Sequence, residues 1–457
     1  MISELFYSFD AEKQTLHRRI TPSKDQRDEQ KERWNHLAEY LIKDLEERSG
    51  CKITSLLQGS YNFGTQIRPR VGQDFDIDLG MFFHWSDHES DDLFNEKELK
   101  AMVQASLHEY TPEDKSDEIE VLEPAKNRCS RIKFDNGFHI DVPAYHFCTD
   151  NDMCLLATEE DGWETSDPQA ILNWFREKLQ DDDERFLVRR LIRYYKAWAT
   201  LHFEENEQPS SLLLTTIITE AYEADGDLGF ANDNLHLQNI NEAILQRLEN
   251  DSEVPNPVAP EEDLNRLAEN FDCFVAKLRT LNDQIQSANA AEGLFEAVSV
   301  WEKVFLHFFP VPDVGEEKGL IPVSFVPEVD VNARCKKNTN LSFSGKNKIG
   351  VIPKGCSIDF SITNTEELPQ GAVITWTARN EGEEAEYEND MGHPSGEGAS
   401  TTDNSAYQGS HYMDVMIKSQ FGSVLGFRRI PVIISGYDCP ERNPKRRARY
   451  PKNKKKR

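Results

Sequence analysis

Residues 52–81 read KITSLLQGSYNFGTQIRPRVGQDFDIDLGM. The stretch Ile53–Leu57 has strand character, GSYNFGT at 59–65 breaks it, and Phe75–Met81 resumes it with apolar Phe75, Ile77, Leu79 and Met81 alternating with Asp76, Asp78 and Gly80. Side chains two apart on a strand share a face, so both aspartates project from the same side of a sheet whose other side is apolar. Gly59 and Ser60 stand at a strand-to-helix turn, where a glycine lets backbone amides approach an anion and a hydroxyl adds a donor. A Gly-Ser pair alone is an ordinary turn, and an Asp-x-Asp alone is most often a surface feature. The pair of them sixteen residues apart is far more restrictive.

Working outward, a third acidic residue completes the pattern. Asp141 lies in FHIDVPA (138–144), flanked by apolar Ile140 and Val142, in a strand expected to follow Cys129–Phe134 across the turn dipeptide Asn136-Gly137. If that strand lies beside the Asp-x-Asp strand, the three carboxylates share one wall and form the hard oxygen ligands that Mg2+ prefers, with Mn2+ as a substitute. Two such ions activate a hydroxyl and neutralise a triphosphate in nucleotidyl transfer. Helical periodicity over 24–48 and 93–110 supplies packing helices for this small mixed sheet.

Gly-Ser, Asp-x-Asp and a distal Asp together resemble the polymerase-β-like nucleotidyltransferases. QGSYNFGTQIRP, DFDIDLG, HIDVP and RRLIRYYKAWAT followed by PSSLLL resemble, more closely, the bacterial cGAS/DncV-like (SMODS) nucleotidyltransferases over roughly residues 20–310. That resemblance implies catalytic and metal-binding roles for Asp76, Asp78 and Asp141, and triphosphate binding by Gly59, Ser60, Lys196 and Ser210, with Ser211 as the alternative in a shifted register. Phe63 matches a base-stacking position in relatives; burial beneath the turn is the competing reading. The implied reaction is metal-dependent joining of nucleoside triphosphates into a short signalling oligonucleotide, a cyclic di- or trinucleotide, in anti-phage defence, acting on an effector protein encoded alongside. Linear oligo(deoxy)nucleotides as in Hailong-type defence, a regulatory pseudo-transferase, and a protein- or tRNA-modifying transferase are the rival readings.

Beyond the core the periodicity changes. Residues 168–179, 185–203, 211–224, 236–249, 261–285 and 288–308 read as helices, 310–330 as a proline-rich linker, and 357–363, 372–380, 412–420 and 427–437 as strands, with 381–405 as loop. WTARNEGEEAE and TTDNSAYQGSHYMDV, through Trp376, Arg379, Asn380, Tyr407, Gly409, His411 and Tyr412, resemble the adenylyl/guanylyl cyclase and SMODS-associated C-terminal sensor domain. The expected architecture is α+β: a nucleotidyltransferase core over 1–165, a helical domain over 166–309, the linker, an Ig-like β-sandwich over 331–440 and a basic tail over 441–457.

Charge restricts the partners. The 457 residues carry a formal net charge of −29, yet residues 442–457, RNPKRRARYPKNKKKR, hold ten Lys or Arg and no acid. A body this acidic does not bind duplex nucleic acid over a broad face, so polyanion contact is expected only in a cleft or at the tail. The tail reads either as a solubilising end or as a contact for single-stranded nucleic acid or an acidic partner. No apolar run is long enough to enter a membrane, and the eight scattered cysteines lack any Cys-x-x-Cys pair, which favours the cytoplasm and argues against a disulfide framework. His146, Cys148 and Cys154 form a weak metal candidate against ordinary packing.

Overall fold

The computed structural model describes residues 2–11, 13–86, 93–114, 117–135, 137–222, 232–265, 271–312 and 324–441; residues 442–457 of the basic tail therefore lie outside the described residues. The chain packs as two compact units, Met1–Asp313 and Val314–Arg457.

In the first unit the helices α1 (Ser3–Phe6), α2 (Leu16–Ile20) and α3 (Lys24–Ser49) precede strand β1 (Lys52–Gln58). A capping box starts α3, in which the Ser23 hydroxyl accepts from Gln26 N and the Gln26 side chain accepts from Ser23 N. The short helix α4 (Gly59–Phe63) leads to β2 (Phe75–Trp85), α5 (Glu96–Glu109), β3 (Ile119–Val121), β4 (Ser130–Phe134), β5 (Phe138–Val142), β6 (Ala144–Cys148), β7 (Cys154–Ala157) and β8 (Trp163–Thr165). These eight strands form one sheet with β2 central, antiparallel to β1 and parallel to both β5 and β6. The two parallel partners keep a single register along β2, Asp78 opposite Asp141 and Met81 opposite Ala144, and so form one line of chain interrupted at Pro143.

One face of the sheet buries Ile77, Leu79, Met81, Ile132, Ile140 and Val142 against Leu37, Leu41 and Leu45 of α3 and Leu99, Val103 and Leu107 of α5. Each such side chain contributes roughly 1.5–3 kcal/mol of burial free energy, which commits the acidic residues between them to the opposite face. The remaining helices are α6 (Pro168–Lys178), α7 (Asp182–His202), α8 (Ser211–Ala221), α9 (Asp233–Asn250), α10 (Phe271–Asn289) and α11 (Leu294–Phe305). The expected helix over 261–285 differs at its start: residues 261–263 belong to β10 (Ala259–Asp263), which pairs as a hairpin with β9 (Pro255–Asn256), and the helix runs Phe271–Asn289.

The second unit contains two sheets around one core. One orders β12 (Ser342–Lys346), β11 (Val329–Cys335), β14 (Cys356–Ile362) and β17 (Ser400–Asn404); the other orders β13 (Ile349–Lys354), β19 (Val424–Asp438), β18 (Gly409–Lys418), β15 (Val373–Arg379) and β16 (Gly392–Glu397). β13 runs parallel to β19, and the other pairs are antiparallel. The expected loop at 381–405 instead holds the helix α12 (Glu383–Tyr387) and strands β16 and β17. Trp376 and Arg379 are structural: Trp376 is buried and donates from Nε1 to Gly398 O at 2.8 Å, while Arg379 and Arg429 pair with the buried Asp414. Cys335 and Cys439 form a disulfide with Cα atoms 5.7 Å apart, and the buried Cys356 thiol lies 3.4 Å from Cys439 Sγ. A single bond is compatible with the reading against a disulfide framework; its two cysteines are far apart in sequence, and only strand pairing brings them together.

Candidate active site

The site begins with strand register. β1 ends where Gln58 pairs with Asp78, so the chain turns into α4 directly beside that carboxylate. Gly59 adopts φ +57°, and a Cβ there would lie 2.0 Å from Asp78 Oδ2. Only glycine fits both requirements. Gly80 answers to the same crowding, since a Cβ on it would lie 1.9 Å from the Gln58 amide nitrogen.

On the sheet face opposite the core, Asp76 pairs with His139 and Asp78 with Asp141 across parallel strands, which puts all four side chains on one side. Single ligand atoms of Asp76, His139 and Asp141 lie within 4.8 Å of one another. His139 Nε2 stands 2.8 Å from Asp76 Oδ1 without the alignment of a hydrogen bond. On β4, Arg131 lies opposite Asp141 and donates to it through both Nε and Nη2, the latter at 2.7 Å, while Lys126 Nζ donates at 3.2 Å. Arg131 also approaches Asp76 at 3.7 Å.

These contacts divide the carboxylates. Burial raises the pKa of Asp78, and the negative charges of Asp76 and Asp141 raise it further, to about 7. Burial alone would raise Asp141 as well, but the Arg131 hydrogen bonds and charge, with Lys126, bring it below the usual carboxylate range. The donor set fits a divalent cation: hard oxygen atoms on one wall, carrying a like-charge strain that a cation would relieve.

A cleft of about 740 Å³ opens beside this wall, lined by Ser60, Gln66, Asp76, Lys196 and Ser211 among others. Helix α7 faces the turn after α4 and holds its carbonyls: Arg189 Nε donates to Phe63 O at 2.7 Å, Arg193 to Gly64 O and Gln66 O, and Lys196 Nζ to Thr65 O at 3.2 Å. Burial and the neighbouring Arg193 lower the Lys196 pKa to about 7, against the opposing pull of Asp76 and Asp78. Ser210 is the N-cap of α8, its hydroxyl accepting from Leu213 N at 3.0 Å, whereas Ser211 lines the cleft. Phe63 is buried with its ring edge-on to Phe175, in keeping with the packing reading.

Thus Gly59, Ser60, Asp76, Asp78, Asp141 and Lys196 converge, with Ser210 one position removed. Arg131, His139 and Lys126 were not singled out from sequence; the alternation of Ser130, Ile132 and Phe134 with Arg131 and Lys133 was the available signal. His146 stacks on Trp85 with ring centroids 3.6 Å apart, and it forms no metal-ligand cluster with Cys148 and Cys154 among the described residues.

Residues 54–145 match the family described as cyclic GMP-AMP synthase DncV-like, nucleotidyltransferase domain, and residues 311–435 match the Adenylyl/Guanylyl and SMODS C-terminal sensor domain. The chain is 29% identical over 444 residues to a cyclic GMP-AMP synthase of Escherichia albertii, covering 94% of this chain and 96% of that protein. It is 24% identical over 314 residues to a c-di-GMP synthase of Roseivirga ehrenbergii, covering 60% of this chain and 80% of that one. The 3'-deoxy-GTP-bound structure of Escherichia coli DncV shares the fold, with a TM-score of 0.50 and 20% identity over 66% of this chain and 95% of that chain.

Proposed function

From a chain that carries a DncV-like nucleotidyltransferase domain followed by an Adenylyl/Guanylyl and SMODS C-terminal sensor domain, we propose a metal-dependent synthase that joins nucleoside triphosphates into a cyclic di- or trinucleotide signal. The single observation that carries this reading is Asp78 standing in register opposite Asp141, with Asp76 on the same face beside a cleft bearing Ser60 and Lys196.

Asp76, Asp78 and Asp141 would hold the divalent cations, magnesium or manganese. When bound, such ions supply a lowered pKa for the attacking hydroxyl and charge neutralisation for the triphosphate. A ribose hydroxyl attacks the α-phosphate in line; the new P–O bond forms as the bond to pyrophosphate breaks. Asp141 is held ionised by Arg131, the charge state in which a carboxylate would serve as a cation ligand. Gly59 and Ser60 grip the triphosphate from the turn, and Lys196, with Ser210 or Ser211 at the start of α8, closes the other side. A lysine already seated in the cleft wall needs only a short reach to exchange the Thr65 carbonyl for a phosphate oxygen. The names of the sequence relatives support a cyclic dinucleotide product. In this reading the chain works in the cytoplasm in anti-phage defence, its product acts on an effector encoded alongside, and residues 331–440 form an Ig-like sensor.

Incubating the pure chain with each ribo- and deoxyribonucleoside triphosphate and Mg2+ or Mn2+, then resolving products after phosphatase, tests the proposal. Pyrophosphate release with a small phosphatase-resistant product is expected, and Asp76→Ala should lower it by at least about a hundredfold. A ladder of linear products would transfer the reading to linear oligonucleotide synthesis. Near-normal turnover by Asp76→Ala would refute the site.

A further inference from the structure

Three buried cysteines meet within the C-terminal unit. Cys335 ends β11, Cys356 begins β14 and Cys439 follows β19. Strand register starts the convergence, since Cys335 and Cys356 are direct cross-strand partners. Each cysteine is pinned through its own backbone N–H: Cys335 donates to Leu341 O at 3.1 Å, Cys356 to Ser405 Oγ at 2.8 Å and Cys439 to Lys354 O at 2.8 Å. Cys335 and Cys356 are fully buried, and Cys439 is 3% exposed.

A disulfide needs two of these residues, and Cys335 with Cys439 supplies it. The bridge alone leaves the third thiol without a role. Cys356 Sγ lies 3.6 Å from Cys335 Sγ and 3.4 Å from Cys439 Sγ, in contact with both. Thiol–disulfide exchange places the attacking, central and leaving sulfurs in line, which would make those two distances differ by a whole S–S bond, about 2 Å. They are nearly equal, so the sulfurs stand at the corners of a triangle. That is how ligands surround an ion.

A cation with sulfur ligands at about 2.3 Å holds them roughly 3.8–4.0 Å apart, within about half an ångström of the two spacings present. Cys51, Cys129, Cys148 and Cys154 are buried as well, yet no such cysteine group forms around them among the described residues. The ligand count selects the ion. Zinc in a structural site takes four ligands. Here no histidine or carboxylate joins the three cysteines among the described residues, and Ser405 Oγ is committed to Cys356 N and Pro353 O. Residues 442–457 contain no His, Cys, Asp or Glu. At this burial, water is a poor fourth ligand. Monovalent copper is soft, prefers thiolates and is satisfied by three.

We propose that Cys335, Cys356 and Cys439 form, in the reduced chain, a three-thiolate site for Cu+. Two electrons and two protons from a small thiol open the Cys335–Cys439 bridge, as in a reducing compartment. Cu+ then replaces thiol protons, which leave to solvent. The ends of these three strands are thereby cross-linked in either redox state, by a covalent bond when oxidised and by copper when reduced. The site uses none of the transferase carboxylates.

The test titrates the full chain, reduced by a phosphine and freed of it under nitrogen, with Cu+ against a chromogenic copper chelator. One equivalent should be withheld from the chelator, and the melting point of the reduced chain should rise. Cys335→Ser, Cys356→Ser and Cys439→Ser should each weaken the affinity at least about a hundredfold, since even an outer-shell loss reaches that scale. Cys356→Ser is decisive because its bridge can still form; a parent-like melting point in the oxidised state shows that it folds. X-ray absorption of the copper-loaded parent should show sulfur neighbours only, a readout that needs no variant. Failure of the reduced parent to withhold copper, parent-like copper affinity in Cys356→Ser, nitrogen or oxygen neighbours at the ion, or equal copper binding by the oxidised parent would each overturn the proposal. Displacement of bound Cu+ by equimolar Zn2+ would overturn it too, by making the cluster a zinc site with a further ligand.

Discussion

Asp78 concentrates the electrostatics of the transferase cleft. Its pKa stands at about 7 in the folded chain against an ordinary 3.8, so the unfolded chain releases this proton first as pH rises. A carboxyl raised in this way leaves stability intact below about pH 4, erodes it between pH 4 and 7, and costs a constant amount above that. Asp78→Asn should therefore melt a few degrees above the parent at pH 8 in chelator, with the difference vanishing near pH 4, while losing turnover. A melting point at pH 8 equal to or below the parent's would show that the clustered charges carry no strain. Asp76 and Asp78 were legible in the sequence because a strand repeats every two residues, and FDIDLG shows that repeat without interruption. Arg131 and His139 were not, since their relation to the aspartates depends on which strands pair and in what register, and alternation within one strand does not encode its partner.

At the scale of the element, the turn from β1 into α4 is fixed from both ends. Gln58 pairs with Asp78 at its start, and the carbonyls of Phe63, Gly64 and Thr65 are taken up by Arg189, Arg193 and Lys196 at its finish. Gly59→Ala should abolish pyrophosphate release while the unfolding free energy falls by no more than about 1–3 kcal/mol, because the new methyl meets Asp78 Oδ2 at 2.0 Å and the backbone is left-handed. Retained turnover would mean that α4 shifts freely. Helix boundaries agreed with periodicity to within a few residues where caps were strong, as at Ser23 and Asp181. The misses have physical reasons. In 381–405 strands form from HPSGE and STTDN, segments of weak strand propensity that are held by pairing to β15 and β14. At 261–263 the chain pairs in β10 with β9 where periodicity places the start of a helix.

For the whole molecule, charge is distributed against the expected chemistry: an acidic body, a cleft with a few local cations, and ten basic residues confined to 442–457. Removing that segment should lower retention on single-stranded nucleic acid at low salt far more than it lowers triphosphate turnover; unchanged retention would reduce the tail to a solubility device. The division into a transferase part and a β-rich part was visible in the switch from helical to alternating periodicity, but the two-sheet arrangement arises from pairings between distant segments. The link between Cys335 and Cys439 spans 104 residues and joins the end of β11 to the residue that follows β19. A pull applied through the chain on either side of this unit would thus be borne by a covalent bridge with 5.7 Å between its Cα atoms, leaving the enclosed strands almost unloaded. Reducing that bridge would transfer the same tension to the sheets and lengthen the tether by the whole enclosed loop.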